Sequence, residues 1–170
     1  KNIKLKNNLH MTLFTPNRVN HFRAQTFFSK EPETLDWIDG FKKDSIFFDI
    51  GSNVGIYSCY AAKSRNSQVF AFEPSIFNLE FLEKNININN LNNNITLIPL
   101  ALTNSSKISK FNMSSVDYGA ALSTFGEQYS HDGNKMNIKF SYKTLGLSLD
   151  NICAEFNIPL PEYIKIDVDG

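Results

Sequence analysis

Three features of this sequence predict an α/β fold with a central parallel sheet. Short apolar runs alternate with helical segments in the order strand, helix, strand, helix, strand, which is the pattern of parallel pairing through right-handed crossovers. The apolar runs are nearly continuous, as befits strands covered on both faces. A glycine-containing turn directly follows the first of them, where a parallel strand hands over to a helix.

Taken in chain order, Lys1 to Lys30 shows no clear period and is expected to be a strand or irregular lead-in. A short helix then begins at Glu31-Pro32-Glu33-Thr34. Pro32 suits a first turn, the acidic neighbours suit its positive end, Leu35, Trp37, Ile38 and Phe41 form a stripe, and Gly40 closes it. Ser45 to Ile50 is the first buried strand, followed by Gly51-Ser52-Asn53-Val54-Gly55 and a helix from Ile56 to about Lys63. Gln68 to Phe72 is the second strand, and Ser75 caps a helix reaching about Asn87. The Asn-rich stretch from Asn89 to Asn94 ends that helix, since Asn tolerates left-handed backbone. Ile95 to Pro99 is the third strand, completing a Rossmann-like half.

Lys107 to Met113 and Met136 to Leu145 alternate partially and read as two strands flanking a loop, Ser114 to Asn134, that is a candidate lid or substrate wall. Leu147 to Phe156 reads as a helix capped by Ser148, and Tyr163 to Ile166 as the fourth buried strand, ending at Asp167-Val168-Asp169-Gly170. No internal repeat or linker divides the chain. Residues 1–44 read as a lead-in and helix, and 45–170 as the ligand-binding domain.

A chain of 170 residues, 42% hydrophobic and 20% charged, is long enough to bury one real core. Seventeen basic and seventeen acidic residues cancel, which argues against nucleic acid as a partner. Cys59 and Cys153 have no metal-ligand spacing and read as reduced thiols. No run approaches the roughly 18 to 20 apolar residues of a membrane span, and Lys1 to Asn8 lacks a signal-peptide core, so a cytoplasmic location is expected. The abundance of Asn, Lys and Ile fits an A/T-rich genome and carries no functional reading.

The glycine turn presents free N–H groups to a ligand at a helix start. Asp49 ends the strand, and the turn reads Asp-x-Gly-x-Asn-x-Gly. A dinucleotide fingerprint laid from Gly51 would need glycine at Asn53 and Ile56, and no Gly-Lys-Ser/Thr of a P-loop follows. Glu73 stands at the tip of the second strand, where an acidic side chain accepts hydrogen bonds from ribose hydroxyls.

Several segments together resemble the FkbM family of O-methyltransferases. They are Phe47-Phe48-Asp49-Ile50-Gly51-Ser52-Asn53-Val54-Gly55, Val69-Phe70-Ala71-Phe72-Glu73-Pro74, Leu100-Ala101-Leu102, Leu149-Asp150-Asn151, and Ile164 to Gly170. The turn is similar to the acidic-x-Gly-x-Gly-x-Gly signature of S-adenosylmethionine enzymes, with Asn53 at the middle glycine. The resemblance implies a Rossmann-like class I methyltransferase fold, truncated here after the fourth parallel strand; further strands would follow Gly170 or come from another copy in a homo-oligomer. It also implies that Gly51, Asn53 and Gly55 line the methionyl part of S-adenosyl-L-methionine, Glu73 holds the ribose, and Ala101 and Leu102 flank the adenine. Asp49 and Tyr57 are candidates by position to face the sulfonium, with core packing an equal reading of Tyr57.

Asp167, at the carboxyl end of the fourth strand, is the candidate catalytic residue. It would orient the acceptor hydroxyl, act as a base, bind Mg²⁺ together with Asp169, or only shape the pocket. Ile166-Asp167-Val168-Asp169 lacks the Asn/Asp-Pro-Pro-Tyr pattern of nitrogen methylation, which favours an oxygen acceptor. His131 is a second candidate base, weaker as a lone loop histidine. The expected activity is O-methyl transfer to a sugar, glycan or small metabolite. An NAD(P)-binding oxidoreductase half-domain and a catalytically silent cofactor-binding module are the alternatives.

Overall fold

The computed structural model describes residues 1–129 and 133–169. Its centre is a four-stranded, fully parallel sheet of β3 (Ile46–Ile50), β4 (Gln68–Phe72), β5 (Ile95–Ile98) and β10 (Tyr163–Ile166), in the spatial order β10-β3-β4-β5. The four apolar runs predicted as buried strands are these four, and the helices α3 (Ile56–Arg65) and α4 (Ile76–Ile88) supply the crossovers. Ser75 caps α4 by accepting from the Asn78 N–H, and Ser148 caps α5 (Leu149–Phe156) by accepting from the Asn151 N–H.

Side chains of the sheet alternate between two cores. On one face Phe47, Val69, Ala71 and Ile95 pack with Leu35 and Ile38 of α2 (Pro32–Asp39), Cys59 and Ala62 of α3, and Leu82 and Ile86 of α4. On the other, Phe48, Ile50 and Phe72 pack with Leu100 and with Ile152 of α5. Phe41 and Phe47 in one core and Phe48 and Phe72 in the other are fully buried, each worth about 1.5–3 kcal/mol of burial, so aromatic rings anchor both faces of the sheet. Tyr163 ties the edge strand in by stacking on Phe41 at 3.9 Å.

The lead-in is more regular than its sequence implies. It forms a hairpin of β1 (Asn2–Lys4) and β2 (His10–Thr12), then a helix, α1 (Arg18–Gln25), capped by Asn17. That helix buries only Asn20 and Ala24 and leaves Phe22 exposed, so no apolar stripe announces it. Two buried asparagines, Asn85 of α4 and Asn89 at its C-cap, hold the N-terminal segment in place. Asn89 exchanges hydrogen bonds with the Thr12 N–H (2.9 Å) and C=O (2.7 Å), and Asn85 accepts from the Phe14 N–H (2.7 Å) while donating to the Val54 C=O (2.8 Å). Ile3, Leu5, Met11 and Leu13 thereby join the same core as residues beyond position 45.

A second sheet, in the order β6-β9-β7-β8, covers one end of the first. β7 (Lys107–Met113) lies where the sequence predicts it. β9 runs Phe140–Leu147 instead of starting at Met136, because its pairing with β7 begins only at Met113 opposite Phe140. Two short strands were not expected: β6 (Ala101–Leu102), which pairs with β9, and β8 (Ser123–Phe125), which lies inside the predicted loop and pairs with β7. Among the described residues, no helix is long and apolar enough to cross a membrane.

Candidate functional site

The carboxyl ends of β3, β4 and β10 open onto a cavity of about 350 Å³, a size suited to a nucleoside-containing ligand. Gly51, Asn53, Glu73, Ala101, Leu102, Asp167 and Asp169 all line it. A smaller recess of about 40 Å³ adjoins it behind the glycine turn and reaches Tyr57, Thr26 and Lys165, sharing Gly51, Asn53 and Asp167 with the larger cavity. Asp49 and Gly55 line neither.

The turn is made by three residues in left-handed conformation, Gly51 (φ 78°), Asn53 (φ 51°) and Gly55 (φ 76°). Asn stands in place of a glycine because its short polar side chain tolerates this region. Gly51 is required by close approach as well: a Cβ there would lie 2.2 Å from the Asp167 carbonyl oxygen. At Gly55 a Cβ would meet the Leu82 Cδ1 at 2.2 Å, so this glycine lets α3 and α4 pack. Asp49 points into the core, where one oxygen accepts from Ser58 Oγ (2.5 Å) and Oδ1 has no hydrogen-bond partner among the described residues. Burial raises its carboxyl above the usual range.

Glu73 is buried at the tip of β4 and is the most heavily bonded acid of the site. Its carboxylate accepts from the backbone N–H of Asn53 (2.7 Å), the backbone N–H of Ser75 (2.9 Å) and Asn78 Nδ2 (3.4 Å). Burial nevertheless pushes its pKa up to about 7, the hydrogen bonds opposing that rise only in part. The far wall is apolar and is built by Phe72 and Leu100 with Phe111 of β7 and Phe125 of β8.

The loop predicted as a lid closes over this wall. Ala120 C=O accepts from Asn53 Nδ2 (2.9 Å) and Asn78 Nδ2 (3.3 Å), and the Gly119 N–H donates to Asn78 Oδ1 (3.0 Å). Tyr118 stacks on Phe81 at 4.8 Å, and its carbonyl accepts from Asn17 (2.9 Å) and Asn20 (2.8 Å). Arg23 of α1 donates twice to the Gly119 carbonyl, from Nε at 3.2 Å and Nη2 at 2.8 Å. Asp169 accepts from the N–H groups of Leu122 (2.5 Å) and Ser123 (3.2 Å).

Asp167 pairs with Lys165 Nζ at 2.8 Å, and Lys165 also lies 5.1 Å from the Tyr57 ring centroid. Burial raises the Tyr57 hydroxyl well above its ordinary range. The expected Mg²⁺ pair of Asp167 and Asp169 finds no support: both carboxylates are engaged by protein donors, and no group of three or more His, Cys, Asp or Glu side chains gathers among the described residues. His131 lies outside the described residues. Arg23 and Asn78 escaped the sequence reading, whereas Tyr118–Ala120 falls within the loop predicted as a lid or substrate wall. Asn78 had one usable signal, its place three residues after the Ser75 cap at the strand tip, whereas nothing local marks Arg23.

The profile of the Methyltransferase FkbM domain matches residues 49–170. The chain is 29% identical over 129 residues to hexuronic acid methyltransferase AglP of Haloferax volcanii, covering 76% of this chain and 47% of that protein. It therefore spans about half the length of this curated relative. Among solved structures, it is similar to a precorrin-6y C5,15-methyltransferase of Geobacter metallireducens, with 26% identity and a TM-score of 0.36 over 40% of this chain and 36% of that one. A SAM-dependent methyltransferase of Agrobacterium tumefaciens matches with 15% identity and a TM-score of 0.42, over 58% of this chain and 31% of that one.

Proposed function

Because the chain belongs to the FkbM methyltransferase family, we propose that it is an S-adenosylmethionine-dependent O-methyltransferase acting on a hydroxyl of a sugar, glycan or small metabolite. The observation that carries this reading is the single cavity joining the Gly51–Asn53 turn, Glu73, the Ala101–Leu102 wall and Asp167, all within the matched residues. The Haloferax relative is a hexuronic acid methyltransferase, which favours a sugar acceptor.

When bound, S-adenosylmethionine supplies a methyl group on a positively charged sulfur. The Asn53, Ser75 and Asn78 donors fix the orientation of Glu73 and leave one lone pair of Oε2 open, which would receive a ribose hydroxyl. Ala101 and Leu102, with Phe111 and Phe125, give the adenine an apolar slot. Gly51 and Asn53 border the recess for the methionyl chain, and Tyr57 lines it as an aromatic neighbour. Asp49 acts from behind the turn as a buried carboxylate, and Gly55 acts through packing. Asp167 orients the acceptor hydroxyl and takes its proton, held in place by Lys165. The Asp117–Leu122 segment is tied to the site through Asn78 and Asp169 and forms part of its wall.

Calorimetry with S-adenosylmethionine on the wild type and on Glu73→Ala tests the ribose assignment. The variant is expected to bind at least tenfold more weakly, since hydrogen bonds to a charged group contribute about 1.5–3 kcal/mol and ~1.4 kcal/mol is tenfold. Affinity retained within about twofold would remove Glu73 from the cofactor site.

A further inference from the structure

The charged groups around the two cavities can be counted by partner. Three cations line them: Arg23, Lys30 and Lys165. Lys30 pairs with Glu31 at 3.1 Å, and Lys165 pairs with Asp167 at 2.8 Å. Among the described residues, no carboxylate forms an ion pair with Arg23. Its protein bonds run from Nε and Nη2 to the Gly119 carbonyl, which anchors one edge of the guanidinium. The Nη1–Nη2 edge is left to present two parallel N–H groups, the arrangement that takes a carboxylate in bidentate fashion. Arg23 borders both the large cavity and the methionyl recess, which places its side chain beside a ligand in either.

We propose that Arg23 is the carboxylate-binding residue of this site, a role that rests on the methyltransferase reading and lies outside the residues 49–170 matched by the family profile. A half-buried guanidinium without an ion pair is costly, and burial pushes its pKa below the ordinary range, with Asp167 the largest opposing influence. A ligand carboxylate completes the charge balance of the pocket. Two sources share that chemistry: the methionyl carboxylate of the cofactor and an acidic group on the acceptor, such as a uronate. The same side chain clamps the Gly119 carbonyl, so carboxylate binding is coupled to the closed position of the Tyr118–Ala120 segment.

The test is calorimetry on the full protein with Arg23→Met, which keeps the stem and removes the charge, beside Arg23→Lys and Asn20→Ala. Asn20→Ala removes a bond to the Tyr118 carbonyl without touching charge, and so reports loosening of the loop alone. The probes are S-adenosylmethionine, 5′-methylthioadenosine, which lacks the carboxylate, and, in saturating S-adenosylhomocysteine, glucuronate against glucose. Loss of about tenfold or more for S-adenosylmethionine in Arg23→Met, with methylthioadenosine held within about twofold, assigns the residue to the methionyl carboxylate. Unchanged nucleoside binding with a similar loss for glucuronate, but not glucose, assigns it to the acceptor. In either case Arg23→Lys recovers part of the loss, because it restores charge without the fork. Equal effects on ligands with and without the carboxylate, no effect on any, or the same pattern in Asn20→Ala overturn the proposal. A wild type that binds no nucleoside ligand fails earlier, and takes the methyltransferase reading with it.

Discussion

Replacing Glu73 with Gln isolates the titration of a buried carboxyl at the centre of the site. Glu73 is 5% exposed, and burial raises its pKa from 4.5 to about 7. The unfolded chain keeps the ordinary value, so between these two values the folded state binds more protons than the unfolded one. The stability this group contributes is therefore complete below about pH 4.5 and is lost as pH rises through about 7. At ~1.36 kcal/mol per unit, the whole shift corresponds to roughly 3 kcal/mol. Gln keeps the size and one acceptor oxygen but does not titrate. Its NH₂ will face a backbone N–H from Asn53 or Ser75, a cost that does not depend on pH. Urea unfolding of both proteins from about pH 5 to 8 reads the effect: the stability advantage of wild type over Glu73→Gln should shrink by about 2–3 kcal/mol across that range. Parallel pH curves for the two proteins would refute the argument, since Glu73 would then have the same proton affinity folded and unfolded.

Gly51→Ala should lower stability by about 2 kcal/mol or more, from the left-handed backbone and from the contact with the Asp167 carbonyl; chemical denaturation measures it, and a neutral result would mean that β3 and β10 are less closely apposed than they are here. Gly55→Ala should cost less than Gly51→Ala, because its obstacle is a terminal methyl of the Leu82 side chain and not a backbone carbonyl. Asp169→Ala should speed hydrogen exchange at the Leu122 amide by roughly tenfold or more, read by mass spectrometry, while leaving the amides of β3 protected. Ser75→Ala should cost about 1 kcal/mol in the same denaturation assay, through loss of the α4 cap.

Phe47-Phe48-Asp49-Ile50 is continuous and apolar enough to demand burial on both faces, and the glycine turn marks the strand's carboxyl end, so the central parallel strand was legible. Helix caps at Ser75 and Ser148 are local side-chain-to-backbone contacts, and they too were legible. The helix carrying Arg23 was not, because its stability comes from contacts with Tyr118 and Gly119 nearly a hundred positions away rather than from an apolar stripe.

The asparagines show the same division most sharply. Their abundance carried no functional reading in the sequence, yet Asn85 and Asn89 bind the N-terminal hairpin to α4, while Asn17, Asn20, Asn53 and Asn78 hold the loop over the cavity. An amide side chain both donates and accepts, so its value depends entirely on what the fold places opposite it. By itself the sequence determined the parallel sheet, the strained turn after Asp49 and the acid at the tip of the second strand, because periodicity, backbone conformation and strand position are properties of neighbouring residues. Only the tertiary structure decided which of those residues line the cavity, that Asp49 and Gly55 serve from behind it, and that Arg23 faces it without an ion pair among the described residues, because burial and pairing are set by residues that meet only when the chain is folded.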